Sequence, residues 1–186
     1  MQRLASRCIN VKPSNILITS GSLQALQLIS VGMLKPGAQV YTETPTYLKS
    51  LQVFQSAGIS FTGIAMDKSG LVPWKIGKVP SGSLLYTIPT YQNPTTLVMT
   101  AARRKEVFDF CSKYRLPILE DDAYGELHFD EITPPLPIKA LDDSGVVLYT
   151  GTISKTLAPG FRVGWLVGPE SVVNRLADVK MQMDYG

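Results

Sequence analysis

A lysine and an arginine among hydroxyl side chains form the segment of this sequence with the most chemical potential. The segment runs from Thr150 to Arg162 and follows the apolar run 146–149. The amine of Lys155 forms a Schiff base when a fold directs it at a carbonyl carbon. Hydroxyl groups and the planar guanidinium of Arg162 supply the donors that a phosphate group needs. The alternative is a solvated lysine in an ordinary turn, so the assignment depends on the other motifs.

Two more motifs follow predicted strands and suit a phosphate and a planar ring. The turn Ser20-Gly21-Ser22 leads into a helix, and the free N–H groups and positive dipole end of a helix N-terminus attract phosphate. Tyr47 has a ring that can stack on a heterocycle. An ordinary Ser N-cap and a core or surface tyrosine are the respective alternatives.

Two further loops carry groups that suit the polar atoms of such a ring. Asn93 lies in a loop stiffened by two prolines, and its amide can donate to a phenolic oxygen, although Asn-Pro also starts ordinary turns. The pair Asp121-Asp122 directly follows a buried strand, where carboxylates need partners. Asp121 can pair with a protonated pyridine nitrogen, and Tyr124 can bind the phenolic oxygen. Helix capping by either aspartate is the alternative.

The elements that position these motifs alternate between short β-type runs and longer helical patterns, which is typical of a parallel sheet flanked by helices. The predicted strands are 15–19, 39–43, 59–65, 84–89, 116–120, 146–150 and 163–167. The predicted helices are 23–34, 46–57, 100–114 and 169–183, with Thr100 as an N-cap, and residues 67–83 are expected to form a loop with a short helix. Ligands of open α/β sheets bind at the carboxyl ends of strands, where all of these motifs are located.

Composition limits the classes of function. The 186 residues are 45% hydrophobic and 18% charged, which fits one globular domain. The net charge is +3 and no basic run exceeds Arg103-Arg104, so a nucleic-acid surface is not expected within this segment. No apolar stretch reaches the length of a membrane span, and no secretory signal opens the chain. Cys8, Cys111 and His128 lack metal-site spacing, and two lone cysteines suit a reducing cytoplasm.

A covalent amine, a phosphate-binding loop and partners for a pyridine ring are what a site for pyridoxal 5'-phosphate requires. The set resembles the large domain of fold type I, class I and II pyridoxal-phosphate-dependent aminotransferases, in order from Ile16 to about Met183. The most specific part is the segment 154–165, supported by 92–95 and 121–124. The resemblance implies an α/β fold with three αβα layers and a mostly parallel sheet.

The resemblance implies a catalytic set of Lys155, Asp121 and Tyr124. Lys155 would carry the Schiff base and, once displaced by an amino acid, act as the general base at its Cα. Asp121 would pair with the pyridine nitrogen, and Tyr124 with Asn93 would hold the phenolic oxygen. Asp121 is preferred over Asp122 because the aspartate of the family precedes its tyrosine by three residues.

The resemblance also assigns the ring face and the phosphate. Tyr47 would stack on the ring. The phosphate would be held by Gly21, Ser22, Leu23, Thr152, Ser154 and Arg162. Leu23 stands where many relatives have a polar residue, so only its backbone N–H is expected to contribute.

Two functions follow from the resemblance. One is an aminotransferase that passes an amino group from an amino acid to a 2-keto acid, with aromatic or 2-aminoadipate-like amino acids as candidate substrates. The other is the effector-sensing domain of a MocR/GntR-type transcriptional regulator, in which Lys155 reports ligand binding. The visible chemistry favours the aminotransferase, and nucleic acid becomes a partner only if a DNA-binding domain precedes this segment.

Family members also have parts that this sequence lacks. Residues 1–186 correspond to the cofactor-binding large domain truncated at both ends, without the small C-terminal domain that carries a substrate-binding arginine. Relatives build the site across a homodimer interface. We therefore expect a cytoplasmic homodimer for the intact protein, without membrane attachment, and weak or no transamination by this segment alone.

Overall fold

Aliphatic and β-branched runs form the strands of this protein, and longer mixed segments between them form the helices. The computed structural model describes residues 1–129 and 133–185. The strands are β1 (Ile16–Thr19), β2 (Gln39–Thr44), β3 (Ser60–Asp67), β4 (Gly70–Leu71), β5 (Leu84–Thr87), β6 (Ile118–Asp121), β7 (Val147–Thr152) and β8 (Gly164–Val167). The helices are α1 (Gln2–Ser6), α2 (Ser22–Gly32), α3 (Leu48–Ser56), α4 (Ala101–Tyr114) and α5 (Glu170–Asp184).

The strands form one 8-stranded sheet in the order β1-β8-β7-β6-β5-β2-β3-β4. Neighbouring strands from β7 to β3 in this order are parallel, whereas β8 is antiparallel to both β7 and β1, and β4 is antiparallel to β3. Gly164 of β8 pairs with Thr19 of β1 and with Thr152 of β7. The carboxyl ends of β1, β2, β5, β6 and β7 therefore share one edge of the sheet.

Helices cover both faces of the sheet. On one face α2, α3 and α5 bury Leu26, Phe54 and Leu176 in one apolar cluster. On the other face α4 buries Val107, and α1 places Leu4 against β7 and β8. Each large apolar side chain that leaves water in this way contributes about 1.5–3 kcal/mol. The three layers are thus held together from both faces of the sheet.

The predicted α/β fold with a mostly parallel sheet is confirmed, and each predicted strand and helix is present with small shifts at its ends. Thr100 caps α4, since its Oγ1 accepts a hydrogen bond from Arg103 N at 3.2 Å. The prediction omitted α1 and β4, because segments of five and two residues carry no periodic pattern. The predicted domain 1–186 includes residues 130–132 and 186, which lie outside the described ranges.

No helix within residues 1–129 and 133–185 is long and apolar enough to cross a membrane. The same ranges hold no group of three or more His, Cys, Asp or Glu side chains arranged for a metal ion. Cys8 is an exposed free thiol and Cys111 a buried one, and burial raises the pKa of the Cys111 thiol to about 12.

Candidate cofactor site

One cavity lies where the carboxyl ends of β1, β2, β5, β6 and β7 meet, and its volume is about 180 Å³. The structure brings every site residue predicted from the sequence to its wall. These residues are Gly21, Ser22, Leu23, Tyr47, Asn93, Asp121, Tyr124, Thr152, Ser154, Lys155 and Arg162. Ile88, Ala123 and Pro159 complete the lining. Loops that are far apart in the sequence therefore face one small volume.

Asp121 brings a buried carboxylate with one unused oxygen to this cavity. It ends β6, and 5% of its surface is exposed. The Tyr86 hydroxyl donates to Oδ2 at 2.9 Å, whereas the buried Oδ1 has no hydrogen-bond partner among the described residues. Burial raises the pKa of Asp121 to about 6, although the bond from Tyr86 lowers it. A cationic N–H donor in the cavity would satisfy Oδ1 and favour the charged carboxylate.

The adjacent Asp122 is paired outside this cavity through its Oδ2, although its Oδ1 also has no hydrogen-bond partner among the described residues. Its Oδ2 accepts from Arg7 Nη2 at 2.9 Å and from the Tyr149 hydroxyl at 2.8 Å. Asp122 lines a separate and much smaller cavity. Residues 122–129 form bends, turns and irregular chain rather than a helix that either aspartate would cap. The geometry therefore favours Asp121 over Asp122 as the partner of a ring nitrogen.

Asn93 and Tyr124 meet at the cavity wall from two different loops. The Asn93 amide donates to the Tyr124 hydroxyl at 3.3 Å. Both side chains are half-buried, and Tyr124 also packs against the apolar cluster beneath it. An N–H donor and a hydroxyl group therefore lie side by side, which is the arrangement needed to hold one ligand oxygen.

Gln92 holds the Asn93 loop in place, a role that the sequence analysis missed. Its Nε2 donates to the Pro45 carbonyl at 2.8 Å, and its Oε1 accepts from Thr95 N at 2.9 Å. Gln92 is buried, so these bonds are shielded from water. The available signal was a second amide directly beside Asn93.

Glu43 forms the buried end of the same network and was also missed. Its carboxylate accepts from Gln92 Nε2 at 3.2 Å, from Ile88 N at 3.0 Å and from the Thr87 hydroxyl. Burial raises the pKa of Glu43 to about 7, although these hydrogen bonds lower it. An acid inside an apolar strand, one residue before Thr-Pro, was the signal that could have identified it.

Lys155 lies on the connection between β7 and β8. Its Nζ is 6.0 Å from the centre of the Tyr124 ring, and its side chain is exposed. Thr152 fixes the start of this connection, because its hydroxyl donates to the Val163 carbonyl at 2.9 Å and accepts from Ser154 N at 3.1 Å. The amine of Lys155 therefore lies on a loop whose first residues are held by hydrogen bonds.

Arg162 and Gly21 meet at the other end of the cavity. Arg162 Nη2 donates to the Ser20 carbonyl at 3.0 Å, and Nη1 donates to Ser154 Oγ at 3.4 Å. Gly21 has φ +100°, and a Cβ added there would lie 3.0 Å from Arg162 Nη2. A Cβ on Gly164 would lie 2.8 Å from the backbone of Gly21. Gly164 is therefore required by the close approach of the two chain segments, and Gly21 is favoured by its positive φ.

The N-terminus of α2 opens beside Arg162. Gly21 is its N-cap and has no side chain to satisfy the first N–H groups of the helix. The N–H groups of Ser22 and Leu23 belong to this first turn, where intrahelical acceptors are absent. The structure thus makes Gly21, not a serine, the N-cap. The backbone contribution expected of Leu23 stays a prediction.

The sequence allowed two roles for Tyr47, a ring that faces a ligand and a core or surface tyrosine, and the structure is compatible with the first and with packing in the core. It is the N-cap residue of α3, packs against the apolar cluster and lines the cavity. Burial raises the pKa of its hydroxyl. The location is compatible with a ring stacked on a ligand, and the stacking itself stays a prediction.

The residues present fit pyridoxal 5'-phosphate. The unpartnered Oδ1 of Asp121 is the acceptor that a pyridinium N–H needs, counted within residues 1–129 and 133–185. Arg162 and the first N–H groups of α2 line the cavity beside Gly21, and this combination of charge and free donors suits a phosphate. Lys155 supplies an amine on the same cavity wall.

The chain is similar to a known protein family and to a named relative. The family model described as "Aminotransferase class I and II" matches residues 1–184. The uncharacterized HTH-type transcriptional regulator YisV of Bacillus subtilis (strain 168) is 54% identical over 98% of this chain, which covers 38% of that relative.

Two solved aminotransferases have the same fold. Kynurenine aminotransferase of Pyrococcus horikoshii is 39% identical with a TM-score of 0.87, over 98% of this chain and 47% of that one. LysN of Thermus thermophilus, an α-aminoadipate aminotransferase solved with N-(5'-phosphopyridoxyl)-L-leucine, is 31% identical with a TM-score of 0.86. It is matched over 98% of this chain and 48% of its own. The chain thus spans less than half the length of these proteins.

Proposed function

Because the chain belongs to the class I and II aminotransferase family, we propose that it binds pyridoxal 5'-phosphate covalently through Lys155 and directs it at amino acids. This cofactor is the one that the family implies. One observation carries the proposal. A buried Asp121 oxygen without a partner in the described part of the chain belongs to the same cavity wall as the Lys155 amine.

The chemistry that the cofactor supplies when bound is an electron sink for bond breaking at the substrate Cα. Asp121 accepts the pyridine N–H and keeps that nitrogen protonated. Asn93 and Tyr124 donate to the phenolic oxygen, and Tyr47 covers one face of the ring. These residues fix the orientation of the ring and do not themselves react.

The phosphate is held at the end of the cavity where charge and free donors coincide. Arg162 contributes a permanent positive charge, and the N-terminus of α2 contributes backbone N–H groups and the positive end of its dipole. The contributing residues are Gly21, Ser22, Leu23, Thr152, Ser154 and Arg162. Anchoring the phosphate there leaves the opposite end of the cavity for the reacting atoms.

Lys155 has two tasks in succession. Its Nζ would hold the cofactor covalently until an amino acid takes its place. The free Nζ would then serve as the general base for the proton on the substrate Cα.

The substrate classes proposed are an amino acid and a 2-keto acid, bound in a homodimer of the whole protein. Leu157 and Phe161, on the loop after Lys155, are 65% and 66% exposed and support an interface beside the cavity. The large share of relatives outside this chain leaves room for the segments that select the substrate.

A second candidate function is sensing rather than turnover. It is favoured by the 54% identity to a protein named as an HTH-type transcriptional regulator. In this role an amino acid displaces Lys155, and this displacement changes the conformation of the protein. No second substrate is required. DNA becomes a partner of the whole protein through a separate domain.

Borohydride reduction tests the covalent anchor. The purified protein is mixed with pyridoxal phosphate, reduced, unfolded and analysed by peptide mass spectrometry. We expect the label on the peptide that contains Lys155, no label in Lys155→Ala, and full labelling in the control Lys68→Ala, whose side chain is exposed at the β3–β4 turn. Labelling of the Lys155→Ala protein to the wild-type extent would overturn the proposal.

The same preparation separates the two functions. An amino donor and a 2-keto acid are added to the whole protein, and keto-acid release is followed together with the visible spectrum. Many equivalents of product per chain support the aminotransferase. A spectral change that stops at one equivalent or less supports the sensor.

A further inference from the structure

The short helix α1 docks onto the sheet directly behind the candidate site. Leu4 and the nearby Ile9 are buried in an apolar cluster with Tyr149 and Val167. Tyr149 lies on β7, the strand that leads to Lys155, and its hydroxyl donates to Asp122. The segment 2–9 therefore covers the back of the two strands that flank the lysine loop.

Arg7, just after α1, reaches the loop that carries Tyr124. Its Nη2 lies 2.9 Å from Asp122 Oδ2, and its Nη1 donates to the Gly125 carbonyl at 3.3 Å. The side chains of Arg7 and Asp122 are only 10% and 2% exposed. Arg7 therefore binds the loop on both sides of Tyr124, and its contact with Asp122 is largely shielded from water.

Arg3 ties α1 to the same loop and also to the lysine loop. Its Nη1 lies 2.7 Å from Glu126 Oε2 and donates to Thr156 Oγ1 at 3.2 Å. Thr156 is the residue after Lys155. One side chain of α1 thus connects the two loops that must hold the cofactor from opposite sides.

Charge gives Arg7 a further role. Burial raises the pKa of Asp121, and the nearby charge of Asp122 raises it further, which opposes the carboxylate that a pyridinium needs. Arg7 neutralises Asp122 through a buried ion pair. Removal of Arg7 would leave Asp122 without its hydrogen-bonded cation, and only the charge of Arg104, which pairs with Glu120, would still act on it.

We propose that Arg7 and Arg3 are positioning residues through which docking of α1 and binding of pyridoxal phosphate strengthen each other. This rests on the proposed function, since the coupling requires the cofactor in the cavity. Linkage makes the effect reciprocal, so a partner or a preceding segment that pulls α1 away lowers the affinity for the cofactor by the same factor. The helix then provides a route by which events outside the domain reach Lys155.

Hydrogen exchange with and without pyridoxal phosphate tests this coupling. We expect saturation with the cofactor to slow exchange of the amides of residues 4–9 by at least about fivefold in the wild-type protein. In Arg7→Ala that response disappears and the Kd for pyridoxal phosphate rises by about fivefold or more. Arg7→Lys keeps the charge but not the forked geometry, so it is expected to recover part of both effects.

Arg103→Ala is the matched control. Arg103 is equally buried and pairs with Asp67 at 2.8 Å and Glu106 at 2.7 Å near the opposite edge of the sheet, beside β3 and β4. Its loss should destabilise the fold and leave the response of residues 4–9 unchanged. If Arg7→Ala does not fold, the half-exposed Arg3→Ala serves instead, with roughly a twofold effect on Kd because exposed pairs contribute little.

The outcomes are distinct. Cofactor binding without any change in exchange of residues 4–9 overturns the coupling and leaves the proposed function intact. Absence of cofactor binding to the wild-type protein overturns both. An equal loss of the response in Arg103→Ala shows general destabilisation and also overturns the coupling.

Discussion

The hydroxyl of Tyr86 donates to Asp121 Oδ2 at 2.9 Å and so connects the apolar core to the candidate site. Tyr86 is fully buried and packs edge-on against Phe54, with ring centroids 5.7 Å apart. The direction of the Asp121 carboxylate is therefore set by a core residue. The second oxygen remains for a ligand, which makes Asp121 the best single test of the site.

We expect Asp121→Asn to weaken binding of pyridoxal phosphate by roughly 10- to 100-fold. The asparagine keeps the shape but loses the charge, and a hydrogen bond to a charged group contributes about 1.5–3 kcal/mol. The Kd is measured by titration followed through the absorbance of the cofactor. Asp109→Asn, on the exposed face of α4, is the control. An unchanged Kd in Asp121→Asn would remove this residue from the site.

Gly21→Ala is expected to affect both stability and cofactor affinity. Its φ of +100° strains an alanine, and the new Cβ would lie 3.0 Å from Arg162 Nη2. Gly82→Ala separates the two effects, because its φ is +81° and nothing in the described part of the chain lies within 4 Å of its Cβ. Both variants should lose about 1 kcal/mol in urea unfolding, and only Gly21→Ala should bind the cofactor more weakly. Equal affinities would show that Arg162 does not depend on this glycine.

Buried Glu43 should make the apoprotein less stable as the pH rises from about 4.5 to 7. Burial raises its pKa from 4.5 to about 7, so in this window the folded state keeps a proton that the unfolded state has released. The free energy of unfolding then decreases with rising pH, by roughly 3 kcal/mol for this group, since one pKa unit corresponds to about 1.36 kcal/mol.

The variant Glu43→Gln tests that assignment by urea unfolding at a series of pH values. Glutamine cannot titrate, so the decline should become shallower. It should not vanish, because burial also raises the pKa of Glu120 to about 7. Identical slopes for the variant and the wild-type protein would contradict the prediction.

The two cysteines should differ in reactivity. Cys8 is exposed, whereas Cys111 is fully buried on α4 with a raised pKa, and the thiolate is the reactive form. A chromogenic disulfide reagent at neutral pH is expected to modify one thiol per native chain and two per unfolded chain. Cys8→Ser should remove the fast reaction, and two fast thiols in the native protein would refute the burial of Cys111.

Much of the site was predictable because its residues follow strands whose carboxyl ends share one edge. Position after a strand could not show which of Asp121 and Asp122 belongs to the site, because the role of each depends on the side of the sheet that it faces. Successive residues of a strand point to opposite faces, and Glu120 binds the backbone of Ile138 and Lys139 on the side away from the cavity. The structure was needed to show that Asp121, and not Asp122, lines the cavity.

Contacts between distant residues gave no signal in the sequence. Arg7 meets Asp122 across more than a hundred positions, and nothing near either residue indicates the pair. The direction of β8 was missing for a similar reason, because the residue pattern of a short buried strand is the same in parallel and antiparallel sheets. Local sequence patterns therefore predicted the loops, whereas the contacts between the loops were visible only in the structure.

The pairing of β1 with β8 joins residues 16–19 to residues 164–167. The chain between these two strands is long, and bringing its ends together costs entropy before the contacts between the strands can stabilise the fold. Gly21 lies just after β1 and Arg162 just before β8, so this pairing brings the two residues together. A chain still on the ribosome and not yet extended to Gly164 would hold Tyr47, Asn93 and Asp121 but not the phosphate end of the pocket. The pocket is therefore complete only after β8 has been synthesised and has paired with β1.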